Sequence, residues 1–434
     1  MKKILSALLI IMILTSLLCT FVYADNEYIG EDTELSETDV EVTEEVTEEE
    51  IAEEDDTYYI NIGLLYGSNA KSSVTIKNDE GIFTVSASEV LDSVTYNSDG
   101  VISVDGTKYR GSIVLKKDSS GLLTVINRVD LEDYIASVIA VEMSPSFNIE
   151  ALKAQAVCAR TYALKNINKH SSRGFDLCAS TDCQAYKGVS VESETTNKAA
   201  RETAGIVMKY NGQIIDAVYS ATSGGYTEDV KYVWGSDIPY LKAAEDKYES
   251  KTVYGACWER ELSVEKATEI MNNKGYNLGT ITNIEVTEST EHGTATKLVV
   301  TGTKGEKTFT KEGCRLAFGT ITLSQAFTVT TASAQAKDEP LYTYGGKKVS
   351  GNVVVATGKG KSSISLKNVT LMGNTIRNFA GATSGPATGF VFKGRGYGHL
   401  VGLSQNGANG MGQAGFLYDE ILKHYYKGIE VTWI

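Results

Sequence analysis

A glutamate stands where a helical pattern calls for an apolar residue. In Asp130–Pro145, Leu131, Tyr134, Ile135 and Val138 recur at helical spacing, and the same stripe continued meets Glu142. Pro145 stops the helix just beyond. Glu142 is therefore expected at the helix end, beside the apolar face. A carboxyl there is desolvated, its pKa rises, and it can hold a proton to give away, which is the chemistry of a general acid. The plainer alternative is a frayed helix end with Glu142 turned to water, since the macrodipole gives a carboxylate nothing at that end.

Other residue types are less pointed. Ala221-Thr-Ser-Gly-Gly225 has no glycine two residues before Ser223, so it is not a nucleophile elbow. Gly394-Arg-Gly-Tyr-Gly-His399 lacks the Lys-Ser/Thr ending of a phosphate loop, and its glycines suit close approach of backbone to a bulky ligand or another chain. Gln184, Tyr186, Tyr219, Tyr226, Trp234 and Tyr240 lie in turn-rich segments and suit stacking on sugar rings and bonding to hydroxyls; each taken singly is equally an ordinary core residue.

Beyond Cys19 in the leader there are five cysteines, an odd number: Cys158, Cys178, Cys183, Cys257 and Cys314. Cys158 falls in an Ala-rich helix and reads as a small buried apolar residue. Cys178 and Cys183 read as a structural pair or as unbonded thiols. With His170 and Asp182 nearby they are also half of a metal set, but the spacing matches no strong pattern, and no metal or other cofactor is assigned.

These residues need elements to hold them. Residues 57–129 read as β structure, with runs Tyr58–Leu64, Ser73–Ile76, Ile82–Ser86, Ser112–Leu115 and Leu122–Val129 between Gly, Asn, Asp and Ser turns. Residues 130–245 hold two helices and a mixed core. The second helix starts after Asn148, a good N-cap, with Glu150 in its first turn and a stripe of small residues that permits close packing. A strand is expected at Gln213–Tyr219. Residues 246–332 suggest a second α/β subdomain, 333–388 a Gly/Ser/Lys-rich insertion, and 389–434 the Gly-rich motif with a final helix near Leu417–Tyr426. The expected class is α+β: a β-rich N-terminal region, a central helical pair and a mixed second subdomain, with a substrate cleft between subdomains.

Composition bounds the setting. Residues 1–24 read as a secretory signal peptide, with an uncleaved membrane anchor as the alternative. Residues 25–56 carry 17 acidic residues and no Lys or Arg, and read as a disordered, self-repelling spacer. Without those two segments, 39 basic and 38 acidic residues remain, so the body gives no electrostatic case for nucleic acid.

Several blocks together carry a resemblance. Arg128-Val-Asp-Leu-Glu-Asp-Tyr-Ile135, Val141-Glu-Met-Ser-Pro145, Glu150–Tyr162, Ser220–Gly225, Trp234-Gly, Pro239-Tyr-Leu241, Gly394–His399 and Val401-Gly-Leu-Ser-Gln405 resemble the SpoIID/LytB family, in family order. The resemblance implies a secreted, cell-wall-associated protein that acts on peptidoglycan glycan strands. It implies a lytic transglycosylase with Glu142 as its catalytic residue, and Arg160, Gln184, Tyr186, Tyr219, Ser223 and His399 as cleft residues that orient sugar or glutamate. The LytB branch implies the alternative, a non-catalytic enhancer that works with a cell-wall amidase. Some members hold zinc on two Cys and His between the second helix and the Gln-Tyr motif; here Asp182 stands where histidine is usual. Leu400 replaces the glycine usual after His399.

Overall fold

The computed structural model describes residues 58–333 and 387–434, with four short strands between them. The expected leader over 1–24, the acidic segment 25–56 and most of 333–388 lie outside the described residues. Eight strands open the chain: β1 Tyr59–Leu65, β2 Ser73–Asn78, β3 Gly81–Ser86, β4 Ser93–Tyr96, β5 Ile102–Val104, β6 Thr107–Tyr109, β7 Ser112–Lys117 and β8 Leu123–Asp130. Their burial alternates where one face meets the core, as in β2, and is near-continuous in β8, which lies between two strands at the middle of its sheet.

β8 runs straight into helix α1 (Leu131–Glu142). Its last residue, Asp130, is also the N-cap, its carboxylate accepting from the Glu132 and Asp133 N–H groups. The α1 stripe of Leu131, Tyr134, Ile135 and Val138 is fully buried. Helix α2 (Ile149–Lys165) starts at Asn148, which caps Glu150 N–H and whose own N–H donates to Asn409. Strand β9 (Leu177–Cys178) returns parallel to β1, giving a five-stranded sheet in the order β4-β7-β8-β1-β9. The other N-terminal sheet has the order β3-β2-β5-β6.

Helix α3 (Glu194–Glu202) packs on α1 and α2, and β10 (Ile206–Tyr210) and β11 (Gln213–Ile214) form a hairpin. The single strand expected over Gln213–Tyr219 is two pieces, β11 and β12 (Tyr219–Ser220). Between them the backbone bonds elsewhere: Asp216 N–H donates to the Tyr240 hydroxyl. After the short helix α4 (Val230–Val233), β13 (Cys257–Ser263), α5 (Val264–Asn273), β14 (Ile281–Ser289), β15 (Ala295–Gly302), β16 (Gly305–Thr310), α6 (Glu312–Leu316) and β17 (Phe327–Ser333) build around a second apolar core.

Two hairpins follow, β18 (Leu341–Tyr342) with β19 (Lys348–Val349) and β20 (Asn352–Thr357) with β21 (Gly360–Ser365). β22 (Ala387–Arg395) then returns between β13 and β17, sending Phe390 and Phe392 into the second core.

The chain finally goes back to the first core. β23 (Leu403–Ser404) pairs in parallel with β12, aligning Tyr219 with Leu403 and Ser220 with Ser404. Helix α7 (Gln405–Gln413), unmarked by any apolar run, and α8 (Tyr418–Tyr425) pack on α2, and β24 (Glu430–Trp433) closes on β10. The architecture is α+β with a β-rich N-terminal region. Among the described residues no helix is long and apolar enough to cross a membrane.

Candidate active site

Glu142 is the last residue of α1, where the backbone turns to extended geometry at Met143. It is half-buried. Burial pushes its carboxyl above the ordinary glutamate range, and three hydrogen bonds moderate the rise, from the Gln405 amide, the Ala185 N–H and the Tyr219 hydroxyl. Gln405 Nε2 lies 3.3 Å from Glu142 Oε2 and also 3.3 Å from Gln155 Oε1. The result is a carboxyl that holds a proton more firmly than usual, yet has donors ready for its ionised form.

A polar chain orders one of those donors. Tyr134 of α1 donates to Gln184 Oε1 (3.2 Å), and Gln184 Nε2 donates to the Tyr219 hydroxyl oxygen (3.2 Å). The Tyr219 proton is thereby free to point at Glu142. Burial raises both phenols well above their ordinary pKa, so they stay protonated donors.

His399 flanks Tyr219. Its Nδ1 accepts from Val401 N–H (3.0 Å), and it hydrogen-bonds to the Tyr219 backbone. Burial lowers its pKa to about 4, with the Arg315 charge adding to the effect, so the imidazole is neutral at neutral pH and is no source of protons. Leu400 sits at φ +66°, a left-handed turn that glycine adopts without strain. The backbone makes the turn with a leucine in place.

Three residues expected to line the cleft do other work. Arg160 is fully buried at the opposite end of α1, roughly 15 Å away at the helical rise. Its Nε and Nη2 donate to Glu132 at 2.7 and 2.5 Å, and Nη1 to the Ile206 carbonyl. Tyr186 is buried against Tyr109 and Tyr134 and donates to Asn127. Ser223 is fully buried against a pair of carboxyls, Asp246 (2.8 Å) and Glu249 (3.2 Å).

That pair gave no signal in the sequence beyond two acids in a turn-rich stretch. Glu249 also accepts from the Ser223 and Gly224 N–H groups and from Ser404, the N-cap of α7. Burial raises both acids, and the Asp246 charge raises Glu249 further. The cluster ties the Ser-Gly-Gly loop to the start of α7, one residue before Gln405. Gln405 itself closes a motif legible in the sequence; its contact with Glu142 is not.

A separate cluster forms between α2 and the Gln184 segment. His170, Cys178, Asp182 and Cys183 offer ligand atoms all within 4.8 Å of one another. His170 Nε2 is 3.3 Å from Cys183 Sγ and 3.4 Å from Asp182 Oδ2. The cysteines are unbonded to each other. Spacing left a metal unassigned because His170 lies outside the Cys segment; the loop before β9 brings it back. Two thiols, an imidazole and a carboxylate are a donor set that fits zinc, and four protein ligands would make it a closed structural site.

Residues 119–210, from β8 through both long helices to β10, match the family model described as Stage II sporulation protein, SpoIID. Among similar proteins, the amidase enhancer of Bacillus subtilis is 29% identical over 87% of this chain and 51% of its own length. The stage II sporulation protein D of Bacillus subtilis is 28% identical over 71% of this chain and 76% of its own length. A Brachyspira hyodysenteriae protein without a described role is 24% identical over 83% and 82%. The chain thus spans about half the length of the amidase enhancer. With the matched segment built around α1 and α2 and the motif blocks gathered at the end of α1, the chain carries a SpoIID-like domain over residues 119–210 and is similar to proteins named for amidase enhancement and stage II sporulation.

Proposed function

We propose that this protein cleaves cell-wall glycan strands outside the cytoplasm as a lytic transglycosylase, with Glu142 as the acid and then the base. The observation that carries the reading is a half-buried carboxyl with a raised pKa, ringed by the donors of Gln405, Tyr219 and Ala185. Protonated Glu142 gives its proton to the glycosidic oxygen between N-acetylmuramic acid and N-acetylglucosamine. As that bond breaks, the muramyl C6 hydroxyl closes on the anomeric carbon. The carboxylate, held by its three donors, takes the hydroxyl proton and leaves a 1,6-anhydro end. The substrate supplies the nucleophile, so the second carboxylate of a hydrolase is not needed. Asp246 and Glu249 are buried and engaged by Ser223, Gly224 and Ser404.

The relative named amidase enhancer favours a second reading, a non-catalytic glycan-binding partner of a cell-wall amidase. One experiment separates the two. Purified protein is incubated with glycan strands, with and without stem peptides, and products are read by mass spectrometry. Anhydro-muramyl ends are expected, with Glu142→Gln slowed about 10²–10⁴-fold while still binding glycan. No product on either substrate, together with stimulation of an amidase, would overturn the enzyme reading in favour of the second.

A further inference from the structure

Trp234 is 39% exposed, yet it is fixed on three sides. Its N–H closes the end of α4 on the Val230 carbonyl (2.8 Å), and its indole Nε1 donates to Glu312 Oε2 (2.8 Å). Its ring leans on His399 with centroids 5.0 Å apart. Glu312 in turn pairs with Arg315 of α6 at 2.5 Å. The polar edge of the indole is thus satisfied by the second core's elements, while much of its apolar surface is left in water. A large ring left exposed gains nothing from burial, and one held so firmly has already lost the freedom that binding would cost.

The place of the ring matters as much. Glu142 touches Tyr219, Tyr219 bonds through its backbone to His399, and His399 touches Trp234. Glu142, Tyr219 and His399 are each partly accessible. The chain of contacts that starts at the acid therefore ends on an exposed tryptophan.

We propose that Trp234, held by Glu312 of the second subdomain, is a sugar-stacking subsite for a glycan unit distant from the bond that is cut. This rests on the glycan-cleaving reading of Glu142. The indole takes the apolar face of a pyranose ring, and its position at the junction of the two cores makes the second subdomain part of the binding surface. A stacking contact made equally in the ground and transition states acts on affinity rather than on turnover.

The test uses the full chain carrying Glu142→Gln, so that nothing is cut, and soluble glycan strands of graded length as the probe. Titration calorimetry should show Trp234→Ala weakening binding about tenfold, the loss growing with strand length, and Trp234→Phe restoring most of it. Melting temperatures of both variants establish that they are folded. In the cleavage-competent chain, Trp234→Ala should raise KM for long strands more than it lowers kcat. Equal affinity of Trp234→Ala and its parent for strands of every length, in a protein that still cleaves glycan, would overturn this subsite alone. A chain that neither binds nor cleaves any strand would overturn the functional reading and the subsite with it.

Discussion

Leu400 offers a comparison in which strain can be separated from packing. Its side chain is fully buried, its φ is +66°, and its carbonyl accepts from Glu228 N–H at 2.7 Å. The left-handed turn brings the next N–H, that of Val401, back onto His399 Nδ1. Leu400→Ala keeps the unfavourable backbone and removes the side chain, costing about 2–5 kcal/mol. Leu400→Gly empties nearly the same space but releases about 1–2 kcal/mol of left-handed strain. At an ordinary position glycine is the less stable of the two by about 0.5–1 kcal/mol. Here the order should invert, with glycine above alanine by about 1 kcal/mol. For a chain of this size that is about 1–2 °C in melting temperature, and it is better read as a shift in urea midpoint at constant slope. An alanine variant as stable as the glycine variant, or more so, would refute the claim that position 400 pays for a left-handed turn.

Glu132→Ala should destabilise the fold by about 3–5 kcal/mol, because it leaves the buried Arg160 guanidinium without its partner. Denaturation measures this, and cleavage per folded molecule should be retained; a disproportionate loss of cleavage would return Arg160 to the site. Asp246 and Glu249 have folded-state pKa values raised above their unfolded ones, both by burial and Glu249 also by the Asp246 charge. Their contribution to stability is therefore full below the unfolded carboxylate range, and is lost as pH rises through the folded values. Melting curves across that range should show Asp246→Asn losing less stability than its parent as pH rises, and parallel curves would contradict the assignment. Elemental analysis should find about one zinc per chain, and a chelator should lower the melting temperature of the parent but not of Cys183→Ser.

Much of the site's first element was legible from chemistry at short range. Asp130 caps α1, Pro145 follows its end, and the apolar stripe runs into Glu142. Periodicity and capping are local, so one stretch of chain reveals them. Helix α7 was not legible. Gly407, Gly410 and Gly412 each cost about 1 kcal/mol of helix propensity, which hides the element. Their reason is tertiary: an added Cβ would lie 2.0 Å from Asp246, 2.0 Å from Tyr248 and 2.7 Å from Asn148 respectively. The same close approach brings Gln405 to Glu142.

Residue type misled wherever a polar side chain had a partner distant in the chain. Arg160 and Ser223 look like groups that would face a ligand, but their partners are Glu132, 28 residues away, and Asp246, 23 residues away. His170 looked misplaced for a metal set because spacing does not show a loop returning to β9. By itself the sequence determined the two long helices α1 and α2, their caps and the glutamate at a helix end, since these depend on neighbours within a turn or two. The tertiary structure decided which donors surround that glutamate. The parallel pairing of β12 with β23 sets Tyr219 and Gln405 side by side from segments nearly two hundred residues apart, and no local pattern encodes that register.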